Sequence, residues 1–301
     1  MNAAPLYLEL YARLTAELQP LPDKPEETCE STLRALWQMA AGVATSAQLA
    51  LTLELPDLDT QQQGALRDLL GRRLAGTPLA HLTGRQRFME LEMLAGPDAL
   101  VPRKETELLA RAAVGLCEQL SAQRKQLTVL DVCTGSGNVA LAIAQHISTA
   151  FVYAADLSEA AVALARRNST HLGLSARTEF RSGDLLAPFD SAEFHGGIDV
   201  LTCNPPYINS AKVSHMASEI AVHEPQLAFD GGPFGIAILM RLLEAAPRFL
   251  RTGGWLAFEV GLGQGPALMK RLQKTPAFGE LRTVQDEADA IRAILAQRSM
   301  N

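Results

Sequence analysis

Apolar positions recur at helical intervals through the first quarter of the chain and then give way to short, strand-like runs. "CESTLRALWQMAAG" predicts a helix that starts at a cap, Ser31 or Thr32, and ends at Gly42. In "DTQQQGALRDLLGRRLAG", Leu66, Leu69, Leu70 and Leu74 fall on one helical face. From Gly84 the period changes. "RQRFMELEMLAGPDALVPR" alternates, meets Gly96-Pro97-Asp98 and alternates again, which predicts a hairpin turning at those three residues. The expected organisation is a helical domain over 1–82, a hairpin linker over 83–104 and a larger domain over 105–301.

In that larger part, apolar runs alternate with helical stretches such as "SEAAVALARRNSTHLG". The expected strands are 127–132, 151–156, 178–184, 199–204 and 253–260. Strands alternating with helices imply an α/β fold with a parallel sheet covered by helices on both faces. "ELRTVQ" and "AIRAILAQ" follow each other too closely for a crossover, so an antiparallel pair is expected at that edge.

Composition narrows the classes. Of 301 residues 48% are hydrophobic and 20% charged, as in ordinary globular proteins. A formal net charge of -6 argues against a surface built to hold a phosphate backbone. No apolar run reaches the ~20 residues that a membrane span needs, and "MNAAPLYLELYARL" lacks the basic start of a secretory signal. Cys29, Cys117, Cys133 and Cys203 lie far apart without metal-ligand or disulfide spacing, and read as small core residues in a reducing cytoplasm.

Chemistry concentrates at strand ends. "VLDVCTGSGNVALAIAQ" is a strand, a glycine turn and a helix, with Gly135 and Gly137 permitting close approach of a ligand. Asp156 closes the next strand, where a carboxylate accepts ribose hydroxyls. This pattern suits a nicotinamide dinucleotide or S-adenosylmethionine. Asp131, just before the turn, repels a pyrophosphate but suits a cationic amino group, which favours the methyl donor. For Asp184 in "SGDLL" two readings stay open: acceptor for the adenine amine, with Leu185 against the ring, or a turn cap.

"DVLTCNPPYINS" ends a buried strand with an amide, two prolines and an aromatic ring. Ligands of open α/β sheets collect beyond the carboxyl ends of strands, where Asn204 falls. A planar amide or aromatic amine fits there, its NH2 held by the Asn204 side-chain oxygen and the Pro205 carbonyl, with Tyr207 stacked on its plane. No strong base appears in the motif. Alignment with a sulfonium, and acceptors that strengthen as positive charge develops, would carry catalysis.

The order "GTPLAHLTGRQRFMELEMLAGPDALVPRKETELLARA", "VLDVCTGSG", "AADLSEAAVALARRN", "SGDLL", "NPPYI" and "HEPQLAFDGGPFGIAILMRLLEAAPRFLRTGGWLAFEVG" resembles the protein-glutamine methyltransferases that act on peptide release factors, over roughly 76–265. The resemblance implies a Rossmann-like, seven-stranded S-adenosylmethionine-dependent methyltransferase domain behind a small helical domain that helps dock the protein substrate. It implies that Cys133, Thr134, Gly135, Ser136 and Gly137, with Asp131, Asp156, Leu157, Asp184, Leu185 and Asn204, hold the cofactor. Asn204, Pro205, Pro206 and Tyr207 would grip the substrate glutamine. Arg103 and Glu105 are expected to abut the cofactor pocket. Lys104 stands where the family usually has proline, and Cys133 where release-factor members commonly have glycine. Cysteine there, with "HEP" at 223–225, resembles a sister group acting on a large-subunit ribosomal protein, whereas Glu105-Thr106-Glu107 leans toward the release-factor group.

The alternatives are that ribosomal protein, a small-molecule amide or amine, or adenine in DNA, which would call for a basic groove. The expected setting is cytoplasmic, with no metal, no direct nucleic acid and no membrane partner. His81, His146, His171, His195 and His215 show no ligand spacing, and His223 reads as ordering a loop. Arg72, Arg73, Arg85, Arg87, Arg103 and Lys104 cluster near the hairpin and read as a solvated surface before a patch that faces an acidic partner. The span from Asn209 to Gly235 reads as either a mobile lid or a surface excursion.

Overall fold

The computed structural model describes residues 3–208, 218–229, 231–232 and 235–300. The chain divides into two compact units, Met1–Lys104 with Met216–Glu224, and Glu105–His215 with Pro225–Asn301.

The first unit carries helices α1 (Ala3–Glu17), α2 (Cys29–Ala40), α3 (Ala47–Ala50), α4 (Thr60–Leu74) and α5 (Leu79–Thr83), the strands β1 (Arg85–Phe88) and β2 (Leu91–Leu94), and helix α9 (Ser218–His223). Leu10, Leu14, Leu33, Leu36, Trp37, Leu66 and Leu70 form its core. Helix α2 begins earlier than its apolar pattern suggests. Thr28 is the cap, and Ser31 answers it from the third helical position, closing a capping box. Both Ser31 and Thr32, the expected caps, are buried inside the helix.

The hairpin also turns elsewhere than expected. Phe88 pairs with Leu91, so the loop is Met89-Glu90, and Met89 takes a φ of 52°. Two-residue hairpin loops need this left-handed backbone and usually take it from Asn or Gly. Met89 adopts it without either, so Gly96-Pro97-Asp98 drew the sequence reading instead.

Two arginines of this unit, Arg73 and Arg103, correct a second expectation. Arg73 is only 2% exposed and donates to Glu27 (2.8 Å) and Glu219 (2.6 Å). Lys24 reaches Glu219 at 2.7 Å, and Arg103 pairs with Glu224 (2.6 Å) and Asp23 (3.1 Å). These are buried pairs, not a solvated face. Removing one partner strands a charge in a medium that cannot solvate it. Arg73→Met is therefore expected to lower unfolding stability by about 3–5 kcal/mol in a urea titration; a loss under about 1 kcal/mol would contradict this account of the network.

The second unit is a seven-stranded sheet in the order β5-β4-β3-β6-β7-β9-β8. Its strands are β3 (Leu127–Val132), β4 (Ala150–Asp156), β5 (Thr178–Ser182), β6 (Ile198–Cys203), β7 (Leu250–Glu259), β8 (Phe278–Gln285) and β9 (Ile291–Arg298). From β5 to β7 neighbours run parallel, while β9 pairs antiparallel with both β7 and β8, the latter as the short connection between β8 and β9 requires. The helices are α6 (Glu107–Ser121), α7 (Asn138–His146), α8 (Glu159–His171), α10 (Ala237–Phe249) and α11 (Gly265–Leu272). Every residue of β6 is buried, which explains why apolar residues fall on both of its faces, with Asp199 and Thr202 the two polar exceptions. The strand order reverses between β3 and β6, placing a crevice beyond their carboxyl ends.

Of the lid reading, 209–217, 230 and 233–234 lie outside the described residues. The remainder contains α9 and a short 3-10 turn at Gln226–Ala228, so it is not without elements.

Candidate active site

Asp131 is buried at the end of β3, where two hydroxyls meet it: Thr134 Oγ1 donates at 2.5 Å and Thr202 Oγ1 at 2.6 Å. Burial pushes its carboxyl up to about 6, against the pull of those two donors. The chain then turns through Cys133, whose φ of 57° is a left-handed backbone that suits glycine better. Across the turn, Asp156 accepts from the Gly135 N–H (2.8 Å) and the Ser158 N–H (2.9 Å). One carboxylate thus fixes both loops that flank the crevice. Gly137 must be glycine twice over: its φ is 84°, and a Cβ would lie 3.1 Å from Ala165 Cβ and 3.2 Å from Leu141 and Phe180.

These residues fit a molecule with a cationic amino group, a ribose and a flat base. Among the described residues the buried Ser136 hydroxyl has no hydrogen-bond partner, and Leu157, beside Asp156, is 56% exposed. A buried polar atom without a partner is a feature that a bound ligand would relieve. Leu185 is buried with a φ of 49°. Asp184 carries an ion pair with Arg241 at 2.5 Å, which leaves its second oxygen for other contacts.

Asn204 follows the last residue of β6. Its Nδ2 donates to Thr106 Oγ1 at 3.1 Å. Among the described residues nothing donates to its Oδ1 or to the Pro205 carbonyl. Two acceptors on consecutive residues are thus open among the described residues. The Tyr207 hydroxyl donates toward Glu259 Oε1 (3.1 Å) and Glu105 Oε1 (3.2 Å), and Glu105 pairs with Arg292 at 2.6 Å. Burial, with Glu259 and Glu105 beside it, holds the Tyr207 phenol far above its ordinary range, so it stays a neutral anchor. Burial also pushes the Glu259 carboxyl up to about 7. The backbone behind the ring is tightly held: Gln264 Nε2 donates to the Tyr207 carbonyl (3.2 Å), and a Cβ on Gly235 would stand 2.2 Å from that oxygen.

The register joins these parts. Val132 of β3 pairs with Cys203 of β6, and Cys203 pairs with Phe258 of β7. The glycine turn, Asn204 and Glu259 therefore leave three adjacent strands at the same end. Arg103 belongs to the first unit, where it is engaged with Glu224 and Asp23. Glu105 lies in the second unit, against Tyr207 and Arg292. Sequence reasoning missed roles for Thr106, Gly235, Glu259 and Arg292. Glu259 had a signal, since it ends an apolar strand as Asp131 and Asp156 do.

Residues 123–277 match the family described as "Methyltransferase domain". With the seven-stranded sheet, this makes the chain an S-adenosylmethionine-dependent methyltransferase of Rossmann-like fold. A release factor glutamine methyltransferase of Moorella thermoacetica is 37% identical over 254 residues, 84% of this chain and 86% of that one. One from Caulobacter vibrioides is 30% identical over 292 residues, 97% of both. The chain belongs to the release factor glutamine methyltransferase family. Among solved structures, the N-terminal domain of human METTL16 in complex with SAH superposes with a TM-score of 0.51 at 15% identity, over 78% of this chain and 84% of that one. At that identity the likeness concerns the fold alone.

Proposed function

We propose that this enzyme transfers a methyl group from S-adenosylmethionine to the side-chain amide nitrogen of a glutamine in a peptide chain release factor. The observation that carries the reading is Asn204, whose Nδ2 is engaged by Thr106 while Oδ1 and the neighbouring Pro205 carbonyl stand open beyond the strand end. A primary amide has two N–H groups to satisfy, and these two acceptors match them. The cofactor supplies a methyl carbon made electrophilic by a sulfonium. The residues of this chain hold both reactants in line and oppose positive charge as it grows on the amide nitrogen.

In this reading Asp131 receives the cofactor's ammonium group and Asp156 its ribose. Leu157 and Leu185 flank the base, and the turn from Cys133 through Thr134, Gly135, Ser136 and Gly137 passes beneath it. Asp184 takes the adenine amine with its free oxygen. Pro205, Pro206 and Tyr207 wall the glutamine side chain, Tyr207 with its hydroxyl tied down and its ring free to stack. The helical part, 1–82, docks the protein substrate, and the hairpin over 83–104 links it to the catalytic part. Among the described residues no helix is long and apolar enough to cross a membrane; the reading sets the enzyme in the cytoplasm, on a protein substrate, without nucleic acid or membrane as a direct partner.

Mass spectrometry after incubation with S-adenosylmethionine and a release factor, the large-subunit ribosomal protein or a DNA duplex tests this. The expected result is one added methyl on a release-factor glutamine. Transfer to the ribosomal protein or the duplex alone would overturn the substrate assignment.

A further inference from the structure

We infer that Glu259 is present as the neutral acid, and that its proton, donated to the Tyr207 hydroxyl, holds the Tyr207 ring where it meets the substrate. The part played by the ring rests on the reading of Tyr207 as a wall of the glutamine site. Tyr207 Oη lies 3.1 Å from Glu259 Oε1 and 3.2 Å from Glu105 Oε1. A phenol has one proton and can give it to one of them. With both carboxyls ionised, the other would face the phenol's lone pairs, acceptor against acceptor. A full hydrogen bond to each needs a second proton, which one of the carboxyls has to bring.

Their surroundings decide which. The Glu105 side chain is 31% exposed, and its Oε2 takes a charge-assisted bond from Arg292 at 2.6 Å. Water and a cation both sustain its charge. Glu259 is 2% exposed, and its Oε2 has no hydrogen-bond partner among the described residues, while Arg292 is paired to Glu105 instead. An ionised carboxyl in that setting costs far more than a neutral one. The proton thus sits on Glu259, and the bonds run one way. Glu259 donates to Tyr207 Oη, Tyr207 donates to Glu105 Oε1, and Arg292 donates to Glu105 Oε2. Burial, with Glu105 beside it, pushes the Glu259 carboxyl up to about 7, against the pull of Arg292.

The consequence lies at the ring. Gly261 backs it so closely that a Cβ there would stand 3.0 Å from Tyr207 Cδ2, and Gln264 holds the Tyr207 carbonyl. With the carbonyl and one edge of the ring fixed, the hydroxyl bonds fix its far end. The titratable and charged groups that face Glu259 are Tyr207 after β6, Glu105 before α6 and Arg292 on β9. Arg292 keeps its charge, Glu105 has already lost its proton, and the Tyr207 phenol is held far above its ordinary range. Rising pH therefore takes a proton from Glu259 alone of the four. Once it is gone, two carboxylates compete for one phenol proton, the chain of bonds breaks at Tyr207, and the far end of the ring is released. Glu259 acts through Tyr207, as a positioning residue.

The test compares Glu259→Met and Glu259→Gln with the wild type. Methionine keeps the length of the side chain and removes the proton. At about pH 6.5 it should lower kcat/KM for the protein substrate about tenfold, the scale of one lost hydrogen bond, with Kd for S-adenosylmethionine near wild type. Glutamine, whose NH2 donates without a charge, should recover most of that loss. In the wild type kcat/KM, which reports the free enzyme, should fall by about the same factor as the pH rises through about 7. Glu259→Gln should lack that fall. A Glu259→Gln enzyme as slow as Glu259→Met, or one that keeps the wild-type fall, would overturn the inference. A second readout needs no substrate: with isotope-labelled glutamate, the wild type below about pH 7 should show an infrared band of a protonated carboxyl that Glu259→Gln lacks. Absence of that band from the wild type would also overturn the inference. An enzyme that shows the band but leaves release-factor glutamine unmodified would support the placement of the proton and refute the reading of the substrate.

Discussion

Asn204→Ala is expected to lower kcat for methyl transfer by at least about three orders of magnitude, while cofactor affinity falls less than about tenfold. The asymmetry follows from where the side chain sits. Alanine removes the open Oδ1, one of two acceptors assigned to the substrate nitrogen, and leaves the Pro205 carbonyl alone to orient it. It also leaves Thr106 without the Nδ2 donor it accepts from. An amide nitrogen is a weak nucleophile because its lone pair is delocalised, so alignment and the charge of its acceptors supply much of the rate. The glycine turn, Asp131 and Asp156 are untouched by the change, which is why the cofactor still binds. Equal losses in both quantities, by isothermal titration and single-turnover assay, would mean that Asn204 serves the cofactor alone.

Asp131→Asn should act in the reverse sense, weakening Kd for S-adenosylmethionine about 100-fold while the ligand-free protein becomes no less stable. Asp131 is a buried carboxyl raised to about 6. A folded-state value above that of the unfolded chain means that its contribution favours the fold below about pH 4 and is lost as the pH rises through about 6. Above that, holding the charge without a cationic partner costs roughly 3 kcal/mol. Asparagine removes the cost and keeps much of the shape. In urea titrations at pH 8 the ligand-free variant should therefore equal or exceed the wild type. Cofactor affinity of the wild type should also fall as the pH drops below about 6, where the carboxyl takes up a proton, and the variant should lack that part of the fall. A variant that binds as tightly as the wild type would mean that the ammonium group is held elsewhere.

What could be seen from the sequence was what is local along the chain. Strand β3 matches its expected 127–132, and the close spacing of the last two strands gave away their antiparallel pairing. Asp131, the glycine turn, Asp156 and Asn204 each sit within a few residues of a strand end, so a strand reading was enough to bring them to one edge. The supports of the site were hidden because they are distant in sequence. Thr106 meets Asn204 across 98 residues, and Tyr207 meets Glu259 across 52. Arg73 and Arg103 looked like surface charges because their partners Glu219 and Glu224 lie 146 and 121 residues away. Nothing in the residue types around Met89 announces a left-handed turn; the pairing of Phe88 with Leu91 imposes it. The motif itself contains no strong base, and the fold puts the Glu259 carboxyl next to it from 52 residues away.

The most direct measurement is a crystal structure of the enzyme with S-adenosylhomocysteine and a peptide bearing the release-factor glutamine. The account predicts the glutamine nitrogen bonded to Asn204 Oδ1 and the Pro205 carbonyl, facing the cofactor sulfur, with Asn204 Nδ2 still on Thr106. Asn204 turned away from the bound sulfur compound, or the glutamine held by other residues, would contradict it.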